Sequence, residues 1–122
     1  MFDAIPATLP HIKSGRLRGL GIATLKRSQF LPDLPTIAES GYPGFDALAW
    51  NGVLVPAATP KAIVQRLNTE INAALKDPEV VQKMNGFGFA LVGGTPEEFG
   101  LLIKSESEKW VPVIKKAGVK ID

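Results

Sequence analysis

Asp3 is the first residue whose type and place suggest chemistry. It follows two apolar residues and precedes Ala4-Ile5-Pro6, where a helix is expected to begin. A carboxylate at the C-terminal edge of a parallel strand stands where open α/β sheets present groups to a ligand. The same carboxylate suits the N-cap of the following helix. The two roles are compatible, since a capping carboxylate can also fix waters or loop amides. Trp50-Asn51-Gly52, between two apolar runs, is the second candidate. An amphipathic ring beside an amide and a glycine lines a cleft well, with Asn51 offering donors and an acceptor. The competing reading is a core tryptophan beside a tight turn.

Enzyme constellations are mostly absent. His11 is the only imidazole, and the hydroxyls near it in sequence are Thr8 and Ser14 on the same short predicted helix. A surface or capping histidine is the expectation there. There is no cysteine, which excludes disulfides, thiol catalysis and thiolate metal sites. With no H-x-x-x-H pattern, no G-x-S-x-G elbow and no phosphate loop, nothing implies a metal, a cofactor or an enzymatic nucleophile. Gly93-Gly94-Thr95 has neither the spacing nor the lysine of such a loop.

The elements that must position these residues are punctuated by ten Pro and twelve Gly, which break the chain at regular places. Residues 5–15 read as a short helix ending at Gly15, with Leu9, Ile12 and Ile5 as its apolar face. Pro10 inside it predicts a late start or a bend. Leu17–Ala23 alternates as a strand does, and its two glycines predict a close approach on one side. Thr36–Glu39 reads as a one- or two-turn helix closed by Gly41. Phe45–Trp50 and Gly52–Val55 read as strand segments, with Asn51-Gly52 either a hairpin turn or a bulge in one long strand.

The second half carries stronger helix signals. Thr59-Pro60, Asp77-Pro78 and Thr95-Pro96 each combine a capping residue with Pro at the first helical position. Ile63, Val64, Leu67, Ile71 and Ala74 recur at helical spacing. The next helix is expected through Met84, then a short strand Phe89–Val92. Thr95 with Glu98 is a capping box. It opens a helix with Phe99, Leu102, Ile103, Trp110, Val113 and Ile114 on one face, bent near Pro112 and ended by Gly118. Trp110 reads as core. Lys115, Lys116 and Lys120 complement the helix dipole on a solvated face. A last strand is expected over residues 119–121.

Alternating strands and helices give an α/β class. Short elements before Pro56 and long ones after it hint that the two halves belong to different bodies. Length allows one domain or a piece of a larger one. With 45% hydrophobic and 21% charged residues the chain is globular and not disordered. Its net charge is +2, and five basic against four acidic residues before Pro56, nine against eight after it, leave no block of one sign. Such a balance gives no support to a nucleic-acid or membrane partner. Met1 runs into Phe2-Asp3 with no signal-peptide pattern, so the expectation is either a cytosolic chain or an upstream N-terminus outside it.

Read in order, several motifs resemble those of one family. Met1-Phe2-Asp3, Ile5-Pro6 and Leu9-Pro10-His11-Ile12-Lys13-Ser14-Gly15-Arg16-Leu17-Arg18 come first. Leu31-Pro32-Asp33-Leu34-Pro35-Thr36 and Ile37-Ala38-Glu39-Ser40-Gly41 follow. Then come Trp50-Asn51-Gly52-Val53-Leu54-Val55-Pro56, Thr59-Pro60, Asp77-Pro78, Gly93-Gly94-Thr95-Pro96-Glu97-Glu98 and Lys109-Trp110. Together they resemble the C-terminal portion of the tripartite tricarboxylate transporter substrate-binding receptors, also called Bug or TctC-like proteins. Each motif alone is weakly specific; their order and spacing are strongly so.

The resemblance implies an α/β, two-lobed, Venus-flytrap-like fold with helices packed on short mixed sheets. Residues 1–45 would end the second lobe, 46–58 would cross the hinge, and 59–122 would complete the first lobe. It implies a periplasmic receptor that is not an enzyme, needs no cofactor, and delivers small organic carboxylates to membrane transporter subunits. Ligand-side positions would be Asp3, Ala4, Trp50, Asn51 and Gly52. Ala4 departs from the family, where many members carry a polar residue such as Asn. The upstream segments that supply backbone amides to the carboxylate in the family are not in this sequence, so little solute affinity is expected of this piece alone. The alternative is a stand-alone truncated α/β module for interaction or dimerisation. In either case the isolated piece is expected to form a homo-oligomer, because covered faces would be laid open.

Overall fold

Helix formation follows the capping signals closely. A computed structural model of the chain describes residues 1–119. Its helices are α1 (Ile5–Lys13), α2 (Lys61–Ala74), α3 (Pro78–Phe87) and α4 (Pro96–Ala117). Asp77 caps α3, its Oδ1 accepting from Glu79 N at 2.9 Å and Val80 N at 3.2 Å. Thr95 and Glu98 close the expected capping box: Glu98 N donates to Thr95 Oγ1 at 3.1 Å and Thr95 N to Glu98 Oε2 at 2.8 Å. The helix ends at Gly118, whose left-handed conformation suits glycine. α3 runs beyond Met84 to Phe87 and stops at Gly88, also left-handed. α1 is continuous from Ile5, with Pro10 inside it.

Two caps fall elsewhere than expected. The N-cap of α2 is Pro60, in an extended conformation and without a side-chain bond, and not Thr59. The N-cap of α1 is Ala4, one residue after Asp3. Thr36–Glu39 forms hydrogen-bonded turns in place of a helix, with Ser40 N reaching the carbonyls of Thr36 and Ile37.

The strands differ most from expectation. Among the described residues no strand ladder forms; there is one isolated parallel bridge, Ile22 with Thr36. Ile22 N donates to Pro35 O and Ile37 N to Ile22 O, each at 2.9 Å, and Ala47 N donates to Ala23 O at 2.7 Å. The segments 45–50, 52–55 and 89–92 form none of the expected strands, and Asn51-Gly52 is neither hairpin turn nor bulge. The reason is physical: a strand is held by its neighbours, and alternation alone cannot fix an extended segment that has none. The strand expected at 119–121 lies largely outside the described residues, as does Lys120.

The chain divides into two bodies. The first is Met1–Asn51 with Lys76–Leu91; the second is Gly52–Leu75 with the chain from Val92 on. The core of the first body is small. Leu9 is 2% exposed, and Ile22 and Thr36 are buried with it. Leu9 and Ile5 of α1 press on Gly88, where a Cβ would meet Leu9 Cδ2 at 3.0 Å and Ile5 Cγ2 at 3.1 Å. Gly19 lies against Leu34, and a Cβ at Gly21 would meet Pro35 O at 3.4 Å, the close approach that the two glycines predict.

In the second body no described residue is fully buried. Val64, Ile71, Phe99, Ile103 and Trp110 are half-buried, whereas Ile63, Leu67, Leu102, Val113 and Ile114 are exposed. The helical faces read from the sequence therefore form, but nothing among the described residues seals them. Trp110 is accordingly not core: it is half-buried, and its indole donates to Glu106 Oε2 at 2.8 Å.

Candidate functional site

The sequence candidates fall in different places. Asp3 is exposed, and its Oδ1 accepts from the N–H of Ala4 at 2.8 Å. Ala4 then begins the helix: its carbonyl accepts from Ala7 N, Thr8 N and Thr8 Oγ1 at 3.1, 3.3 and 3.2 Å. Asp3 thus fixes the peptide before the first turn and does not bond the N–H groups inside it. Its carboxylate can hold the entry of the chain into α1 while its remaining lone pairs face solvent.

Trp50 and Asn51 close the first stretch of the first body; Trp50 is 38% exposed, and Asn51 is exposed. Gly52 opens the second body. A Cβ at Gly52 would run into the ring of Phe99, 2.6 Å from Cε2 and closer still to Cζ. The absence of a side chain at residue 52 is thereby explained by packing of α4, without appeal to a ligand. Within the first body no hydrogen bond joins Asp3 or Ala4 to Asn51.

Three local arrangements escaped the sequence reading. In the first, Glu39 binds back on its own turn: its Oε2 accepts from Thr36 N at 2.7 Å and its N–H donates to Thr36 Oγ1 at 3.0 Å. Arg27 Nε donates to both Glu39 oxygens, at 3.2 and 3.0 Å, and its Nη1 to Pro32 O at 3.3 Å. The Thr36 amide, then the Arg27 guanidinium, hold the Glu39 carboxyl below its ordinary value. The signal was available, since Thr36-x-x-Glu39 has the spacing of a capping box.

In the second, Asn72 of α2 holds the Gly93-Gly94 turn. Its Oδ1 accepts from Gly94 N and its Nδ2 donates to Gly94 O, both at 2.9 Å; Asn68 Nδ2 donates to the same carbonyl at 2.8 Å. This clamp sets the entry to α4. Paired amides at i and i+4 on a helix are its only sequence trace. In the third, Glu106 takes Lys109 Nζ at 2.8 Å beside the Trp110 indole, with the ammonium 5.4 Å from the ring centre.

None of these arrangements has the donor set of a metal centre. Among the described residues no three His, Asp or Glu side chains stand together as ligands, and no helix is long and apolar enough to cross a membrane. His11 lies exposed in the last turn of α1.

Comparison with known proteins adds what the geometry alone does not. The model of the tripartite tricarboxylate transporter family receptor matches residues 1–119. A protein encoded in the tcbD–tcbE intergenic region of Pseudomonas sp. strain P51 is 44% identical over 93% of this chain, which spans 34% of that protein. BugT of Bordetella pertussis is 39% identical over 98% of the chain, which spans 36% of it. A protein from the clcB–clcD intergenic region of Pseudomonas knackmussii is 40% identical, and this chain spans 68% of it.

Solved structures agree. An R. palustris protein with adipate superposes with a TM-score of 0.84 at 37% identity, over 95% of this chain and 39% of that one. The periplasmic binding protein BugD gives 0.81 at 36%, over 93% and 38%. MatC from Rhodopseudomonas palustris, with bound malate, gives 0.77 at 31%, over 92% and 39%. The fold is therefore that of part of a periplasmic binding protein, and the chain spans about two fifths of the solved chains.

Proposed function

From the premise that this chain belongs to the tripartite tricarboxylate transporter receptor family, we propose that it is the C-terminal portion of a periplasmic solute-binding receptor for small organic carboxylates. The observation that carries this is the 0.84 superposition on a structure holding adipate, at 37% identity. A second superposing structure holds malate. Adipate and malate are both short dicarboxylates, so a short diacid is the ligand class proposed here.

The receptor would close two lobes around the carboxylate, its differential contacts drawing the open state toward the closed one. We place residues 1–45 at the end of the second lobe, 46–58 at the hinge crossover and 59–122 in the first lobe. Asp3 would steady the loop before α1 at the cleft edge, and Ala4, Trp50, Asn51 and Gly52 are proposed as the other ligand-side positions. The closed receptor would hand its solute to membrane transporter subunits. The exposed apolar residues of the second body support the view that this piece works with a preceding part of the receptor.

A chimera tests the proposal. Residues 1–119 of this chain replace the matching part of the adipate-bound R. palustris protein, and adipate and malate binding are measured by calorimetry. Retained affinity for one of them, within about tenfold of the parent, is expected from conserved closure. A folded chimera that binds neither diacid would overturn the reading.

A further inference from the structure

Asparagine followed by glycine occurs twice in the chain, at Asn51-Gly52 and at Asn85-Gly86. Such a dipeptide can react with itself. The glycine amide nitrogen, once a base has taken its proton, can add to the side-chain Cγ of the asparagine. Glycine suits the attacking place, since it has no Cβ to obstruct the approach and the widest choice of backbone angles. Both asparagines are exposed, so water reaches both side-chain amides. What separates the two pairs is the backbone around them.

Asn85 and Gly86 lie within α3. There the Gly86 N–H belongs to the helical ladder, and the Asn85 carbonyl accepts from Gly88 N at 3.0 Å. Closing a ring between Cγ and the next nitrogen needs rotation about ψ of the asparagine, which the helix forbids until its end opens. Asn51 and Gly52 lie in no helix and no strand. Among the described residues neither the Gly52 N–H nor the Asn51 side chain has a hydrogen-bond partner. No such bond has to break before the nitrogen meets Cγ.

We propose that Asn51 is a site of spontaneous modification in this chain, through a cyclic imide with Gly52, and that α3 protects Asn85 from the same fate. The first step forms the bond from Gly52 N to Cγ and breaks the bond from Cγ to Nδ2. The side-chain nitrogen leaves as ammonia, taking up, through solvent, the proton that Gly52 N lost. Water then opens the five-membered ring. Attack at Cγ restores the ordinary main chain and leaves aspartate. Attack at the main-chain carbonyl leaves the chain running through Cγ, an isoaspartyl link one methylene longer. The sum exchanges one ammonia for one water, a gain of about 1 Da. Either product sets a carboxylate in place of a neutral amide and lowers the formal net charge by one from +2.

The 122-residue chain itself serves for the test. It is kept folded at mildly alkaline pH in water enriched in heavy oxygen, and its peptides are mapped by mass spectrometry. Residue 51 should take up heavy oxygen at least about tenfold faster than residue 85, the protection that a modest cost of local opening confers. Its products should include both aspartate and isoaspartate. The rate should rise with pH, because the deprotonated amide is the nucleophile. In strong denaturant α3 is lost, and the two rates should converge to within about threefold. Asn51→Gln would need a six-membered ring, which closes more slowly, and should remove the early acidic species seen on ion exchange.

A residue 51 that reacts no faster than residue 85 in the folded chain would overturn the proposal, as would aspartate formed there without isoaspartate. So would a difference in rate that persists in denaturant, since it would then lie in the neighbouring side chains and not in the fold. The inference stands apart from ligand binding: an inert Asn51 leaves the receptor proposal intact, and a chimera that binds no diacid leaves the modification intact.

Discussion

The ring of Phe99 lies over the backbone of Gly52, in the space that a Cβ at residue 52 would occupy. The first turn of α4 is thereby seated on the extended segment that precedes α2. Gly52→Ala should force the ring aside and destabilise the second body by about 1–3 kcal/mol, as overpacking does. Denaturant unfolding measures this. Since the clash needs both partners, Gly52→Ala should cost less in a Phe99→Ala background; equal costs in the two backgrounds would show that the contact does not govern residue 52.

Asn72 holds the other approach to α4. One amide serves both the N–H and the carbonyl of Gly94. Asn72→Ala removes both bonds and should cost about 1–2 kcal/mol, the lower part of the range for lost hydrogen bonds, because the site is exposed. Asn72→Asp keeps an acceptor for Gly94 N but sets a carboxylate oxygen against Gly94 O. It should be no better than Asn72→Ala near neutral pH and should improve as the pH is lowered and the group becomes protonated. A thermal melt series in pH separates the two variants.

Glu39 gives a pH dependence of opposite sense. Its carboxyl is held below its ordinary value of 4.5, chiefly by the Thr36 amide and then by Arg27. A lowered folded value means that the ionised form is favoured by folding. The contribution is full above the ordinary value and is lost as pH falls through the lowered one. Loosening of the Thr36 turn and of the Arg27–Pro32 loop is therefore expected only at acid pH. The Thr36 amide resonance should follow a titration with a midpoint below 4.5. Glu39→Gln should abolish that titration; its persistence would assign it to another carboxylate.

Legibility in the sequence divided along the range of the interactions. Asp77, Thr95 with Glu98, and Gly118 act on backbone groups a few residues away, and each cap was readable from its own neighbourhood. Thr59 was a near miss, since Pro60 takes the N-cap place in an extended conformation. The expected strands failed because pairing depends on residues distant in sequence; only Ile22 and Thr36 find each other. The burial of Trp110 was overread for a related reason. Spacing shows which side of a helix is apolar, but not whether anything covers it. The resemblance to the receptor family was legible over nearly the whole chain and is matched over residues 1–119. The Asn72 clamp had no such trail, because an asparagine inside a helix looks the same whether it faces water or a glycine turn.

Asp3 remains the candidate on which the ligand reading bears most directly. Its Oδ1 already holds the Ala4 N–H at 2.8 Å, so the carboxylate orders the peptide that enters α1. In the receptor chimera, Asp3→Ala would free that peptide at the proposed cleft edge, and diacid affinity should fall by more than about tenfold, the scale of one lost charge-assisted hydrogen bond. Asp3→Asn retains a side-chain oxygen for the Ala4 N–H and should recover most of the loss if Asp3 works by ordering the loop. If its charge is what matters, through waters around the ligand, Asp3→Asn should be as weak as Asp3→Ala. Calorimetry on the three chimeras decides between these roles, and an affinity unchanged in Asp3→Ala would remove Asp3 from the site.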